Sequence, residues 1–284
     1  MAKIIDGKAV AADVKQELKQ KVQDFENTYG PKPCLAVIIV GDDPASQVYV
    51  RNKQKACEDV GFKSLIFRHP ADESEENLLT EIMCLNTDPT VHGILVQLPL
   101  PKHLDEEKVI LTISPDKDVD AFHPVNVGKI MIGNYDFLPC TPAGVMELLK
   151  RYGVDVAGKE CVVVGRSNIV GKPLSMLLLQ ANGTVTTCHS KTRDLKEVCK
   201  CADILAVAIG KPKFITADMV KEGAVVIDVG INRVDGKLCG DVDFENVAEK
   251  ASYITPVPGG CGPMTIAMLM QNTLTAAINQ LRGV

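Results

Sequence analysis

Lys53 follows Tyr49 by four residues in a segment, Ser46 to Gly61, that reads as an amphipathic helix. At helical period Tyr49, Val50, Lys53, Ala56, Cys57 and Val60 share one face, while Arg51, Asn52, Gln54, Lys55, Glu58 and Asp59 fill the other. Ser46 is placed to cap the start and Gly61 the end. An ammonium on the face turned toward the protein is costly unless it is paired or neutral. Two readings fit this window. One is a lysine that snorkels to water at the rim of the core; the other is a catalytic lysine of lowered pKa with a tyrosine beside it.

A second constellation lies at Cys161-Val162-Val163-Val164-Gly165-Arg166-Ser167-Asn168-Ile169-Val170-Gly171-Lys172-Pro173, a strand, a glycine turn and a helix start. Free amides at a helix N-terminus favour phosphate, and Gly165 permits close backbone approach. The generic G-x-G-x-x-G fingerprint is absent, so an ordinary strand-to-helix turn also fits. The following strand ends in Cys188-His189-Ser190-Lys191-Thr192-Arg193, with no acid before Asp194. A dinucleotide fold that prefers NAD carries an acid there for the ribose 2′-hydroxyl. Hydroxyl and basic groups suit a 2′-phosphate instead, with Arg166 adding charge, so NADP is expected over NAD.

The elements that must position these residues alternate from end to end. Helical patterns cover 8–28, the segment from Ser46, Glu73–Leu85, Thr141–Tyr152, Pro173–Gln180, Asp194–Cys201, Ala217–Glu222 and Pro263–Leu281. Thr141 is the expected cap of its helix, with Pro142 at the first turn. Short apolar runs at Leu35–Val40, Lys63–Phe67, His92–Leu98, Cys161–Val164, Thr184–Cys188, Ile204–Ile209 and Ala224–Val229 read as strands. Strands separated by helices imply parallel sheets, whose ligands bind at the carboxyl ends of the strands. Tyr49 and Lys53 fall just beyond one such end, and Gln97 is near the end of another.

The chain has 284 residues, room for two domains, with 46% hydrophobic and 24% charged residues, an ordinary balance for a globular protein. A net charge of -5 makes no electrostatic case for nucleic acid. No stretch reaches the length of a membrane span, and the first residues hold no apolar signal-peptide core. The ten cysteines show no zinc spacing. Cys34, Cys84, Cys161 and Cys188 lie in apolar runs, and Cys199 and Cys201 fall on one helix as core residues. Reduced thiols and a cytoplasmic setting fit, with no metal expected.

Taken in order, several segments resemble the bifunctional methylenetetrahydrofolate dehydrogenase/cyclohydrolase family of the bacterial FolD type. They are Tyr49-Val50-Arg51-Asn52-Lys53, Gly93 to Pro101, Asp116-Lys117-Asp118-Val119-Asp120, Pro139-Cys140-Thr141-Pro142, Gly165-Arg166-Ser167 with Val170 to Pro173, and Pro256 to Thr265. The likeness covers nearly the whole chain. Two positions depart from the pattern: Ala121 stands where glycine is usual, and Cys261 where valine is usual in the Pro-Gly-Gly-x-Gly run. Both substitutes are small, so the fold should survive with a slightly reshaped pterin pocket.

The resemblance implies an α/β protein of two lobes flanking a cleft. An N-terminal parallel α/β domain (1–138) would bind folate and carry catalysis, and the C-terminal helix (264–284) would pack back on it. A Rossmann-like domain (139–263) would bind NADP and pair two chains as a homodimer. The implied reactions oxidise 5,10-methylenetetrahydrofolate to 5,10-methenyltetrahydrofolate with NADP⁺ and hydrolyse the product to 10-formyltetrahydrofolate. This is one-carbon chemistry on which purine, methionine and histidine synthesis draw. By the same resemblance Lys53 is the key catalytic residue, with Tyr49, Gln97 and Asp120 beside it. Tyr49, Val96, Gln97, Leu98, Asp120, Pro258, Gly259, Gly260 and Gly262 would line the folate site. Gly165, Arg166, Ser167, Ser190 and Ile231 would contact NADP.

Two rival readings bear on other classes. Tyr-x-x-x-Lys is also the hallmark of short-chain dehydrogenases, but there the pair follows the glycine-rich turn, whereas Tyr49 and Lys53 precede Gly165. A non-catalytic dinucleotide sensor or folate-binding regulator would not need Tyr49, Lys53 and Gln97 together. Asp116, Asp118 and Asp120, read without the family pattern, could equally be a solvated acidic loop.

Overall fold

The computed structural model describes residues 1–282. In chain order the elements are β1 (Lys3–Ile4), α1 (Gly7–Tyr29), β2 (Cys34–Val40), α2 (Pro44–Val60), β3 (Lys63–His69), α3 (Glu75–Thr87) and β4 (Gly93–Val96). Then come α4 (Glu106–Thr112), α5 (Pro124–Ile132), α6 (Cys140–Arg151), β5 (Glu160–Val164), α7 (Gly171–Gln180), β6 (Thr184–Cys188), α8 (Leu195–Lys200) and β7 (Ile204–Val207). The last are β8 (Val225–Asp228), β9 (Asn232–Val234), β10 (Lys237–Cys239), α9 (Phe244–Ala248), β11 (Tyr253–Ile254) and α10 (Cys261–Arg282).

The chain forms two compact units, one of Ala12–Cys140 with Ile266–Val284, the other of Met1–Ala11 with Thr141–Thr265. The first eleven residues therefore go with the second half of the chain rather than with 12–138. The cause is backbone pairing: Lys3 and Ile4 add a parallel strand beside Tyr253 and Ile254.

In the unit of Ala12–Cys140, three parallel strands run in the order β3-β2-β4. All seven residues of β2 are buried, as expected of a central strand covered on both faces. Its side chains pack with Leu78 and Ile82 of α3 and with Ile94 and Val96 of β4. Ile94 also bridges Asp118 in parallel, so the segment leading to Asp120 runs along the open edge of β4.

The other unit holds a six-stranded sheet in the order β6-β5-β7-β8-β11-β1, parallel at every pairing. The strand order reverses between β5 and β7, and the carboxyl ends there form a topological switch point, the usual ligand position in open α/β sheets. Val162, Val164, Leu205, Val207 and Val226 are among the residues that fill one core on this sheet.

Several expectations need correction. Asp43, not Ser46, caps α2: its carboxylate accepts the Ser46 N–H at 2.7 Å and Pro44 opens the first turn. Gly61 closes that helix in the left-handed conformation, as its spacing suggested. The helix expected over Ala217–Glu222 shrinks to a 3-10 turn at Ala217–Met219. The strand expected from His92 begins at Gly93, because His92 turns inward, where its Nδ1 accepts the Cys34 N–H at 3.0 Å. Cys84 and Cys201 are exposed rather than in the core, while Cys34, Cys161, Cys188 and Cys199 are buried.

Candidate functional site

Lys53 sits on the buried face of α2. Val50, Ala56, Cys57 and Val60 on that face are all at most 2% exposed, and Lys53 itself is partly buried. Its Nζ donates to Gln97 Oε1 at 2.9 Å. Gln97 follows β4, where its N–H still pairs with Ile38 O at 2.8 Å. Its Nε2 donates to Leu98 O at 2.7 Å, so the amide oxygen is held toward the amine. Burial pushes the Lys53 ammonium below the ordinary lysine range, against the opposing pull of Asp120 and the Cys140 and Cys57 thiols.

Asp120 answers that charge. Burial raises its carboxyl above the usual range, and the Lys53 ammonium pulls it back. Its surroundings are fixed by α10 and by the start of α6. Asn272 Nδ2 of α10 donates to Val119 O and to Leu138 O, each at 2.8 Å, and Cys140 Sγ lies 3.6 Å from Asp120 Oδ1. Burial drives the Cys140 thiol well above its ordinary range, so it acts as a neutral, weak donor rather than a nucleophile. The three aspartates of this segment part ways. Asp116 is exposed, whereas Asp118 is 2% exposed and accepts from His123 N and Asn126 Nδ2. The run is therefore not a solvated acidic loop.

Tyr49 stands one turn before Lys53 but is 39% exposed. Among the described residues its hydroxyl has no hydrogen-bond partner, and the Lys53 amine goes to Gln97 instead. Val96 ends β4 and is buried, while Leu98 is partly buried beside it. Tyr49, Lys53, Val96, Gln97, Leu98 and Asp120 thus belong to one unit.

Gly165, Arg166, Ser167, Ser190, Ile231 and the run Pro258–Gly262 belong to the other. Gly165 has φ +130, and a Cβ there would come within 2.3 Å of Ala208 O at the end of β7. A Cβ on Gly171 would strike Gly165 O at 2.2 Å. The turn from β5 into α7 is thus a backbone cradle that only glycine allows. Ser167 Oγ accepts from the N–H groups of Val170 and Gly171, at 3.2 and 3.3 Å. Arg166, Ser190, Lys191 and Arg193 are all exposed. Hydroxyl and cationic groups therefore stand past β5 and β6 with no acid before Asp194, a donor set that fits a 2′-phosphorylated dinucleotide.

The Pro258 run is close-packed at Gly260, where a Cβ would come within 2.6 Å of Pro256 O. Gly259 has φ +107, and a Cβ on Gly7 would reach within 1.9 Å of Gly260 O. A methyl on Gly262 would lie 3.7 Å from Ile231 Cδ1, so Ile231 and the Pro-Gly-Gly-Cys-Gly run lie side by side. Cys261 is buried, and burial pushes its thiol up to about 12, in keeping with a packing role.

The doubly wound parallel sheet, its glycine cradle and a separate α/β unit carrying a partly buried lysine define a two-unit dehydrogenase of the Rossmann class. Residues 5–120 match the family described as tetrahydrofolate dehydrogenase/cyclohydrolase, catalytic domain, and residues 139–281 match its NAD(P)-binding domain. The chain is 63% identical over 277 residues to a bifunctional protein FolD from Acetivibrio thermocellus, covering 97% of each. It superposes with TM-score 0.96 and 53% identity on the bifunctional enzyme FolD, methylenetetrahydrofolate dehydrogenase/cyclohydrolase, from Campylobacter jejuni, covering 98% of this chain and 99% of that one. The Trypanosoma brucei dehydrogenase-cyclohydrolase solved with NADP cofactor and inhibitor gives TM-score 0.95 at 42% identity, with 99% of each chain covered. The chain belongs to the tetrahydrofolate dehydrogenase/cyclohydrolase family. Both rival readings, the short-chain dehydrogenase and the non-catalytic binder, give way to it.

Sequence reasoning passed over Asn272, Cys140 as a neighbour of Asp120, and the buried Asp228 and Asp241. Asn272 left a trace: it is a polar residue on the buried stripe of α10 with Met268 and Ala276. The two aspartates left none, because all their partners but the Asn232 side-chain amide are backbone N–H groups.

Proposed function

We propose that this enzyme oxidises 5,10-methylenetetrahydrofolate with NADP⁺ and hydrolyses the methenyl product to 10-formyltetrahydrofolate, with Lys53 as the acid–base group. One observation carries the reading: a partly buried amine held at 2.9 Å by Gln97 and facing the charge of Asp120. NADP⁺, when bound, accepts the hydride.

Loss of hydride leaves a cation delocalised between two nitrogens, so that step needs placement more than proton transfer. A bare ammonium would oppose the growing positive charge. The lowered pKa of Lys53 lets the amine be neutral there. Hydrolysis requires that a water attacking the methenyl carbon lose a proton and that a ring nitrogen later gain one. A lysine of lowered pKa performs both transfers. Gln97 does not titrate; it aims the amine. Asp120 accepts paired N–H groups from the pterin edge, as a carboxylate does well. Tyr49, exposed as it is, offers its ring to the aminobenzoyl group. Val96 and Leu98 flank the substrate, and Pro258, Gly259, Gly260 and Gly262 give a flat ligand close access to backbone. Gly165, Arg166, Ser167, Ser190 and Ile231 hold NADP. Ala12–Cys140 with Ile266–Val284 are the folate and catalytic unit, and Met1–Ala11 with Thr141–Thr265 form the dinucleotide unit.

Two copies pair through the dinucleotide unit, a reading supported by the exposed Val234 and Leu238 of the β9–β10 hairpin. Ten unpaired thiols support a reducing, cytoplasmic setting. Among the described residues no helix is long and apolar enough to cross a membrane. The 10-formyl product would serve purine, methionine and histidine synthesis as a one-carbon donor.

Lys53→Met tests the central assignment. Hydrolysis should fall by about 10²–10⁴-fold, the usual worth of a general acid–base group, while a measurable share of hydride transfer survives. Undiminished hydrolysis in this variant would remove Lys53 from its role.

A further inference from the structure

At the carboxyl ends of β7 and β8 two aspartates are buried without a cationic partner among the described residues. Asp241 is 0% exposed. Its Oδ2 accepts from Ile209 N at 2.7 Å and Gly210 N at 3.0 Å. Its Oδ1 accepts from Lys211 N at 2.8 Å and Asn232 Nδ2 at 2.9 Å. Asp228, 2% exposed, accepts from Gly230 N at 3.1 Å, Asp241 N at 3.0 Å and Val242 N at 2.9 Å. The packing leaves no spare room. A Cβ on Gly230 would come within 2.1 Å of the Asp241 carboxylate, and one on Gly240 within 1.8 Å of Asp228 Oδ2.

These bonds fix two loops at once. Residues 209–211 leave β7 directly after Ala208, whose carbonyl is the contact that forces glycine at position 165. The segment 230–232 is tied at Gly230 by Asp228 and at Asn232 by Asp241, so Ile231 is held between the two carboxylates. Both loops sit where a parallel sheet receives its ligand, and a buried carboxylate is tolerable only while its N–H donors stay in place.

We propose that Asp241 is a positioning residue for the dinucleotide: a fully enclosed carboxylate that sets the 209–211 loop and the Ile231 segment before the cofactor arrives. The inference rests on the assignment of NADP to this unit. Preorganised loops bind with less ordering cost, so releasing them should weaken the cofactor while sparing chemistry that needs none.

The test uses the full-length enzyme with Asp241→Asn and, as a milder variant, Asn232→Ala. Asparagine would turn an amino group toward two of the N–H donors. Nucleotide titration should show the NADP Kd raised on the order of tenfold, with the KM for NADP⁺ rising in parallel. The folate KM and the methenyl hydrolysis rate should stay within twofold of the parent. If Asp241→Asn does not fold, Asn232→Ala decides alone. Unchanged NADP affinity overturns the proposal, and so does a joint loss of both activities with the melting temperature, which marks a general structural role. A parent enzyme that fails to bind NADP would instead refute the cofactor assignment.

Discussion

Gln97 accepts the Lys53 amine at 2.9 Å on one side of its amide and is committed to Leu98 O at 2.7 Å on the other. The amide cannot flip without breaking both bonds, so the amine meets a neutral acceptor rather than a carboxylate. That choice keeps the lysine pKa low, since a neutral acceptor adds little to the ammonium form while burial penalises it.

A charge at position 97 should therefore move the pH dependence in a known direction. The neutral amine is the base, so hydrolysis rises with pH as Lys53 loses its proton, and its lowered pKa places that rise below the ordinary lysine range. Gln97→Glu puts an anion on the amine and raises its pKa. The rising limb of the pH–rate profile should shift upward, with about a tenfold loss at neutral pH for each unit of displacement. A profile that superposes on the parent's would exclude Lys53 as the titrating base.

Asp120 should separate the two ligands. Asp120→Ala removes the acceptor for the pterin edge but leaves the unit that holds Gly165 untouched. Charged hydrogen bonds of this kind are worth about 1.5–3 kcal/mol. The folate KM should rise on the order of ten- to a hundredfold, with NADP binding within twofold of the parent. Titrating each ligand separately checks this, and a larger loss for NADP than for folate would refute the assignment.

The departure at position 121 has a conformational cost. Ala121 has φ 57 and is fully buried beside Asp120, a left-handed geometry that costs a residue with a Cβ about 1–2 kcal/mol. Ala121→Gly relieves that strain but loses a buried methyl, about 0.8 kcal/mol, and gains unfolded-state entropy worth about 0.4–1 kcal/mol. The changes nearly cancel, so the variant should melt within a few degrees of the parent. Ala121→Val, β-branched in the same conformation, should melt far lower. Equal melting points for glycine and valine would show that the backbone is not held in this geometry.

Local order was legible because local patterns carry it. The apolar run of β2 and the 3.6-residue spacing of α2 are properties of adjacent residues, and so is the cap at Gly61. The lysine on the buried face of α2 was visible for the same reason. Short elements were harder to see. Neither α4 nor α5 was anticipated, and Ala217–Glu222 proved a single turn, because a few residues hold too little periodicity to outweigh tertiary contacts. The motif shared with a known family supplied the names of the site residues, but not their geometry.

Long-range geometry belonged to the tertiary structure alone. That Lys53 meets Gln97 follows from β4 pairing beside β2, a contact between residues 44 apart. That Asp120 is steadied by Asn272 depends on α10 returning across 153 residues of chain to the carbonyl of Val119. The strand at Lys3–Ile4 changed units for a partner near the other end of the sequence. Side-chain type and spacing can announce an amphipathic face or a glycine turn. Which backbone amides surround a carboxylate such as Asp241 is settled only when distant segments pack, since every residue but proline offers the same N–H.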